Sequence, residues 1–184
     1  MISSFVLASL VLLLTPGPTN TLLGAFGAAT GFRRAAALPL AEALGYGIAI
    51  PVFHAAGGML AESHLAMAGL KAAAGLWLLY SGAKLWSEPV VPALPEAGAA
   101  FRRVLVTTLL NPKALFVAAV VMPGLWTGPF VAALAIFLVL AMIAGLGWTA
   151  LGAALPAPVR SYSYKAASLV ILGFSLTALG SLFA

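Results

Sequence analysis

A segment with two prolines and three hydrogen-bonding side chains interrupts the first apolar stretch of the sequence. Its residues are Thr15, Pro16, Gly17, Pro18, Thr19 and Asn20. Each proline removes a helical hydrogen bond, and inside a membrane such backbone is tolerated only beside protein groups or a water-filled cavity. A helix that restarts at Thr19 presents free N–H groups and a positive dipole end, which suit a carboxylate. We therefore predict a substrate site here, with a packing kink as the alternative.

Asn111, Pro112 and Lys113 form a comparable polar segment in a later apolar stretch. Lys113 follows Arg103 by about ten residues, or roughly 15 Å of helix, which puts it near the membrane midplane. An ionisable residue at that depth costs roughly 2–4 kcal/mol and usually faces a partner or an aqueous cavity. We predict that Lys113 and Asn20 receive a substrate carboxylate, and the alternative is a lysine that reaches toward the membrane surface.

Glu42 is the only carboxylate well inside a predicted helix, roughly 10 Å from its cytoplasmic end. It would pair with Lys113, hold a substrate amine or carry a proton. It could equally reach the cytoplasmic interface, where Arg33 or Arg34 would neutralise it. Tyr46 lies one turn deeper in the same predicted helix and is expected to line the same substrate cavity as Glu42.

Metal and enzymatic chemistry are not expected from this sequence. It contains no cysteine and no aspartate, and it has two histidines, His54 and His64. Their separation does not fit the i, i+4 spacing of a helical metal site. Clusters of carboxylates or histidines are also missing, so we predict no metal, no cofactor and no enzymatic activity.

The composition is that of a membrane protein. Hydrophobic residues make up 63% of the 184 residues, charged residues only 7%, and the mean hydropathy is +1.12. A soluble domain carries about 25% charged residues, so the outside of this protein is expected to face lipid. The net charge of +5 comes from scattered basic residues between apolar runs, which suits membrane orientation better than nucleic-acid binding.

We predict an all-α polytopic membrane protein with one transmembrane domain over residues 1–184. Its six helices are expected at residues 2–30, 35–60, 65–86, 103–122, 128–155 and 165–184, with a proline-rich linker at about 87–102. Pro123 and Gly124 are expected to end the fourth helix. Basic residues concentrate in the first, third and fifth turns, so these turns are predicted to be cytoplasmic and both chain ends to lie outside.

The sequence also repeats at a shift of 94 positions, which carries Lys71 onto Lys165 and Pro18 onto Pro112. Residues 1–86 and 103–184 would therefore form two repeats of three helices, with helices one and four broken at the proline motifs. Because three is odd, the second repeat would cross the membrane in the opposite direction. Inverted repeats of this kind are the architecture of many secondary transporters.

These motifs resemble those of the LysE/RhtB family of bacterial amino-acid exporters. The resemblance rests on residues 15–20, the basic turn at 31–34, the helix at 71–84 and residues 111–114. It implies a six-helix exporter of an amino acid or a similar small zwitterion, driven by proton antiport, in the bacterial inner membrane. The chain departs from the family pattern at Thr19, which is inserted before Asn20. It also lacks the acidic residue that the family carries deeper in the second helix: Ala49 or Ile50 falls near that place, and Glu42 lies two turns earlier.

The predicted function is export of an amino acid from the cytoplasm. N–H groups near Pro18, with Asn20 and Lys113, would bind the carboxylate, and Glu42 would bind the amine or exchange the proton. The alternatives are an inorganic cation or metal exporter and a non-transporting membrane subunit. Small residues on the third helix permit either a homodimer or packing within the chain. They are Ala72, Gly75 and Gly82.

Overall fold

A computed structural model of the protein describes residues 2–57, 62–87, 97–160 and 162–182. Within these ranges the regular structure is helical and no β-strand occurs, which confirms the predicted all-α class. The helices are α1 (Ile2–Leu14), α2 (Pro18–Thr30), α3 (Phe32–Ala35), α4 (Leu38–Ala55), α5 (His64–Ser87), α6 (Ala97–Leu109), α7 (Pro112–Phe116), α8 (Met122–Leu125), α9 (Phe130–Ala153), α10 (Ala157–Arg160) and α11 (Ser163–Gly180). A π-helical turn, Val117–Val121, joins α7 to α8.

The first predicted helix is broken into α1 and α2, which are bent by 60°. Pro16 and Pro18 supply no N–H, so carbonyls in the last turn of α1 lose their helical partners. Gly17 between them is extended, with φ −167° and ψ 172°. Pro18 begins α2, where its missing N–H would have had no helical partner in any case. The break therefore lies at the proline motif, as the sequence predicts.

A second bend, of 41°, separates Gly98–Leu109 from Pro112–Leu125. Asn111 caps α7, because its Oδ1 accepts a hydrogen bond from the backbone N–H of Lys113 at 3.0 Å.

Two predicted boundaries in this region are wrong. Helix α6 begins at Ala97, before residue 103, and the helical chain continues through Pro123 and Gly124 to Leu125. Pro123 is tolerated because it lies in the first turn of α8, where an N–H is not required. Residues 88–96 of the predicted linker lie outside the described residues.

Among the residues that the structure describes, four helical segments are long and apolar enough to cross a membrane, and the two bent pairs raise the number to six if each is one span. The four are Phe32–Ala55, His64–Ser87, Phe130–Ala153 and Ser163–Gly180. Large apolar side chains lie on the outside of the bundle, where Leu65 is 85% exposed and Val131 74%. Such a surface suits lipid, so the chain is a multi-pass membrane protein.

Helices α5 and α11 pack as a close antiparallel pair. A Cβ at Gly75 would lie 2.6 Å from Cγ of Leu179, so the two helices touch at a position where only glycine fits. The hydroxyl of Ser175 donates to the carbonyl of Gly75 at 2.8 Å, and that of Ser168 donates to the carbonyl of Gly82 at 2.7 Å. Gly75 and Gly82 are therefore both covered by α11.

Two lysines hold the ends of this helix pair in equivalent ways. Lys71 Nζ of α5 donates to the carbonyl of Ser181, just beyond α11, at 3.2 Å. Lys165 Nζ of α11 donates to the carbonyl of Trp86 near the end of α5, and it lies 4.7 Å from the centroid of the Trp86 ring. A cation is favourable at a helix C-terminus because the helix dipole is negative there.

Helices α2 and α9 approach so closely that Gly27 and Gly152 have no room for a side chain. A Cβ at Gly27 would collide with the carbonyl of Thr149, and one at Gly152 would collide with the backbone of Gly24. This backbone contact holds α2 against α9 and brings Trp148 of α9 to the first break.

Candidate functional site

The last carbonyls of α1 are the acceptors around which the first break is organised. Lys113 Nζ donates to the carbonyls of Leu12 and Thr15 at 2.9 and 2.5 Å. Asn20 Nδ2 donates to those of Leu13 and Thr15 at 2.7 and 2.9 Å. In an uninterrupted helix these carbonyls would accept from backbone N–H groups four residues later. The side chains of Asn20 and Lys113 therefore replace backbone donors that the break removes.

Trp148 and Gly17 complete the surroundings of the first break. The indole Nε1 of Trp148 donates to the carbonyl of Leu13 at 3.3 Å. A Cβ at Gly17 would lie 3.0 Å from Cε of Lys113 and 3.1 Å from its Nζ, so the lysine passes directly over the glycine. Lys113 thus reaches toward the break rather than toward a membrane surface.

The two breaks are joined by a chain of buried polar side chains. Asn111 Nδ2 donates to Thr19 Oγ1 at 3.1 Å, and Thr19 Oγ1 lies 3.3 Å from Thr108 Oγ1. Thr108 in turn donates to the carbonyl of Val104 in its own helix at 2.9 Å. The proline motifs that the sequence pairs as counterparts therefore contact one another directly.

Glu42 lies in the protein interior with 1% of its surface exposed. Within the described ranges, neither of its carboxylate oxygens has a hydrogen-bond partner. Oε2 packs against Gly145, where a Cβ would lie 2.6 Å from it and 3.1 Å from Cβ of Pro39. Lys113 is near enough to interact with Glu42 electrostatically, but it donates to the end of α1 instead. Glu42 is therefore neither at an interface nor paired with Lys113.

Tyr46 lies one turn beyond Glu42 and is 1% exposed. Its ring packs edge-on against that of Phe137, with the ring centroids 5.3 Å apart. Tyr46 belongs to the apolar core with Ile50. It lines neither of the two spaces that border the proline motifs.

A space that we call the apolar cavity lies between α5, α7 and the second half of α11, with a volume of about 240 Å³. The proline motifs contribute Pro18, Asn111 and Pro112 to its wall. Lys71 and Ser181 line its end nearest the start of α5.

A second space, which we call the groove, lies between α2, α9 and the first half of α11, with a volume of about 530 Å³. Asn20 and Trp148 line it near the first break, and Pro158 and Tyr162 line it near the start of α11. The apolar cavity and the groove therefore approach the first break from opposite ends of α11.

No protein-family model, no curated protein and no solved structure matches this chain. The geometry of the site is thus what supports a functional assignment. The structure divides its predicted residues by their contacts. Asn20 and Lys113 bond to carbonyls at the end of α1 and to that of Thr15. Thr19 and Asn111 bond to each other, and Pro18 and Pro112 border the apolar cavity. Glu42 and Tyr46 lie buried beside them.

Lys71 is a wall residue that sequence reasoning did not assign to the site. Two features of the sequence point to Lys71: the repeat pairs it with Lys165, and it lies several residues inside a predicted helix.

The two histidines do not line either space. His54 stacks on Phe130, with ring centroids 4.4 Å apart, and the described part of the chain holds no group of three potential metal ligands.

Proposed function

We propose that the protein is a secondary transporter that exports an amino acid or a similar small zwitterion by alternating access. The observation that carries this proposal is the approach of the apolar cavity and the groove to the first break from opposite ends of α11. Pro18 belongs to the wall of the cavity, and Asn20 belongs to the wall of the groove. A small helix movement would then be enough to expose a substrate held between Pro18 and Asn20 first to the groove and then to the cavity. Alternating access requires such a switch in exposure.

Two inverted three-helix repeats would account for the paired features of the fold. Lys71 and Lys165, related by the shift of 94, make equivalent contacts at opposite ends of the α5–α11 pair. Helices related by an axis in the membrane plane must run antiparallel, as α5 and α11 do. In this arrangement the two bent pairs are broken spans and the domain has six spans in all.

The end of α1 would bind the substrate carboxylate. Lys113 and Asn20 donate there to backbone carbonyls, and both can transfer these bonds to a carboxylate. A carboxylate carries a full negative charge and a carbonyl only a partial one, so the ammonium attracts the substrate more strongly and the substrate competes well with the carbonyls. The exchange would free the carbonyls of α1 and so link substrate binding to movement at the break.

Glu42 would couple export to the proton gradient. An ionised carboxylate without a partner is costly inside a membrane protein, and either a proton or a substrate ammonium removes that cost. Because both neutralise the same group, they exclude one another. Mutual exclusion of substrate and proton at one carboxylate is the condition for antiport.

We assign the protein to the inner membrane of a bacterium, with both chain ends outside. The positive-inside rule supports this orientation, because the basic residues concentrate in alternate turns. The apolar cavity would then open outward, and the groove would open toward the cytoplasm. The resemblance to LysE/RhtB exporters agrees with the same direction of transport.

Flux measurements in proteoliposomes test the proposal. We expect the reconstituted protein to move at least one amino acid of a radiolabelled panel at a rate that depends on an imposed pH gradient. Glu42→Gln should remove the gradient dependence, because the amide cannot exchange a proton. Glu62→Gln is the matched control, since Glu62 is an exposed carboxylate before α5, and it should leave the flux unchanged.

Absence of gradient-dependent flux for every amino acid tested would refute the proposal. Metal sensitivity of a deletion strain would then favour a cation exporter, and co-purification with one fixed partner would favour a non-transporting subunit.

A further inference from the structure

The walls of the apolar cavity restrict the ligand that it can hold. They are formed mainly by apolar side chains, including Phe53, Leu70, Leu78, Leu115 and Phe174. A charged ligand group placed among these side chains would lose its hydration and gain few hydrogen bonds in return. An aliphatic or aromatic group would instead be removed from water at no such cost.

The size of the cavity suits an amino-acid side chain. Its volume of about 240 Å³ exceeds the roughly 150 Å³ of an apolar protein cavity that binds benzene. A branched aliphatic or aromatic side chain therefore fits inside it, with space for the polar end of the ligand near the mouth.

Lys71 is the charged side chain on this wall. Its ammonium has three donors, and one of them donates to the carbonyl of Ser181 at 3.2 Å. Among the described residues no carboxylate pairs with it, so two donors remain for a ligand. The carbonyl of Ser181 lies at the negative end of α11, which suits a ligand ammonium. Lys71 and Ser181 thus offer a cation and a carbonyl oxygen, and the remaining wall is apolar apart from Asn111 and Thr177.

We infer that the apolar cavity binds the side chain of an exported apolar amino acid and that Lys71 binds its carboxylate. This inference rests on the proposed transport function and names its substrate class. The cavity is bounded by Pro18 and Pro112, so a substrate that leaves Lys113 at the first break enters the cavity next. The cavity is then the last binding site before release on the outward side.

Binding to the purified full-length protein in detergent tests the inference, with L-leucine, L-lysine and isopentylamine as probes. L-Leucine should bind at least about tenfold more tightly than L-lysine, whose charged side chain would be desolvated in the cavity. It should also bind more tightly than isopentylamine, which has the same apolar group but no carboxylate. Equal binding of L-leucine and L-lysine, or of L-leucine and isopentylamine, would overturn the inference.

Two pairs of variants locate the site. Lys71→Met should weaken L-leucine binding between about 10- and 100-fold, because a hydrogen bond to a charged group is lost. Lys84→Met removes an exposed lysine from the same helix and should have no effect. Ala178→Leu should weaken binding by filling the cavity, whereas Ala150→Leu makes the same change on an exposed face of α9. If Ala178→Leu binds L-leucine as the wild type does, the cavity is not the site.

The flux assay separates this inference from the proposed function. Gradient-driven flux of L-lysine without L-leucine binding would overturn the inference and leave the transport function standing. L-Leucine binding that depends on Lys71, without flux of any amino acid, would support the site and overturn the function.

Discussion

Two side chains share the carbonyl of Leu13, and this sharing predicts a strong energetic coupling between them. Asn20 Nδ2 donates to that carbonyl at 2.7 Å and Trp148 Nε1 donates at 3.3 Å. Asn20→Leu removes the first bond and a second one to Thr15, but Leu13 keeps Trp148 and Thr15 keeps Lys113. Both carbonyls keep a hydrogen-bond donor, so the free energy of unfolding should fall by only about 1 kcal/mol for each lost bond.

The double variant Asn20→Leu with Trp148→Phe removes both side-chain donors from Leu13. A buried carbonyl without a partner costs about 1–3 kcal/mol beyond the loss of the bonds themselves. The double variant should therefore be less stable than the sum of the single variants by about 1–3 kcal/mol. Trp148→Phe also removes side-chain volume. This loss is present in the single and in the double variant, so it cancels when the two are compared in a double-mutant cycle.

Equilibrium unfolding in mixed micelles, followed by circular dichroism, measures this coupling. A control cycle replaces Trp148→Phe by Trp77→Phe, because Trp77 Nε1 donates to Thr107 Oγ1 at 2.8 Å and not to Leu13. In this control cycle the changes in the free energy of unfolding caused by the two single variants should add within about 0.5 kcal/mol. If the Asn20 and Trp148 effects also add within that limit, the two side chains do not share the carbonyl of Leu13 as the structure indicates.

Two further predictions concern packing and orientation. Gly145→Ala should destabilise the protein by about 1–3 kcal/mol, because the new Cβ would lie 2.6 Å from Oε2 of Glu42. Gly147→Ala should not, since nothing lies within 4 Å of its Cβ position, and unfolding of both variants in micelles decides the matter. The chain has no cysteine, so single cysteines can be labelled in cells with a membrane-impermeant maleimide. Glu62→Cys should react in intact cells and Tyr162→Cys only after permeabilisation, and the reverse pattern would contradict the orientation.

The sequence predicts the first break well because its cause is local. Pro16 and Pro18 lack N–H groups, so no surrounding structure could make α1 and α2 one regular helix. The existence of apolar spans is equally local, since length and composition decide it. Boundaries are less predictable, as Ala97 shows. Residues 97–102 contain no proline, so nothing in them forbids a helix, and their state depends on what they pack against.

The partners of the polar side chains could not be predicted from the sequence. Lys113 reaches Leu12 and Thr15 only because the start of α7 lies beside the end of α1 in the folded bundle. The sequence places Glu42 well inside a predicted helix. Its lack of a hydrogen-bond partner depends on Gly145, which is distant in the sequence. The apolar cavity needs three helices at once, so no single motif indicates it.

The contact between α2 and α9 has a consequence for how the sequence of such a protein can change over time. At Gly27 and Gly152 any side chain would collide with backbone atoms, and backbone cannot move aside as a flexible side chain can. At Leu40 and Val139, which are more than half exposed to the surroundings, any apolar residue would serve. Homologues should therefore keep glycine at the first two positions while the lipid-facing positions vary. An unchanging glycine at Gly27 or Gly152 would therefore record a contact between two helices and need not by itself mark a residue that binds substrate.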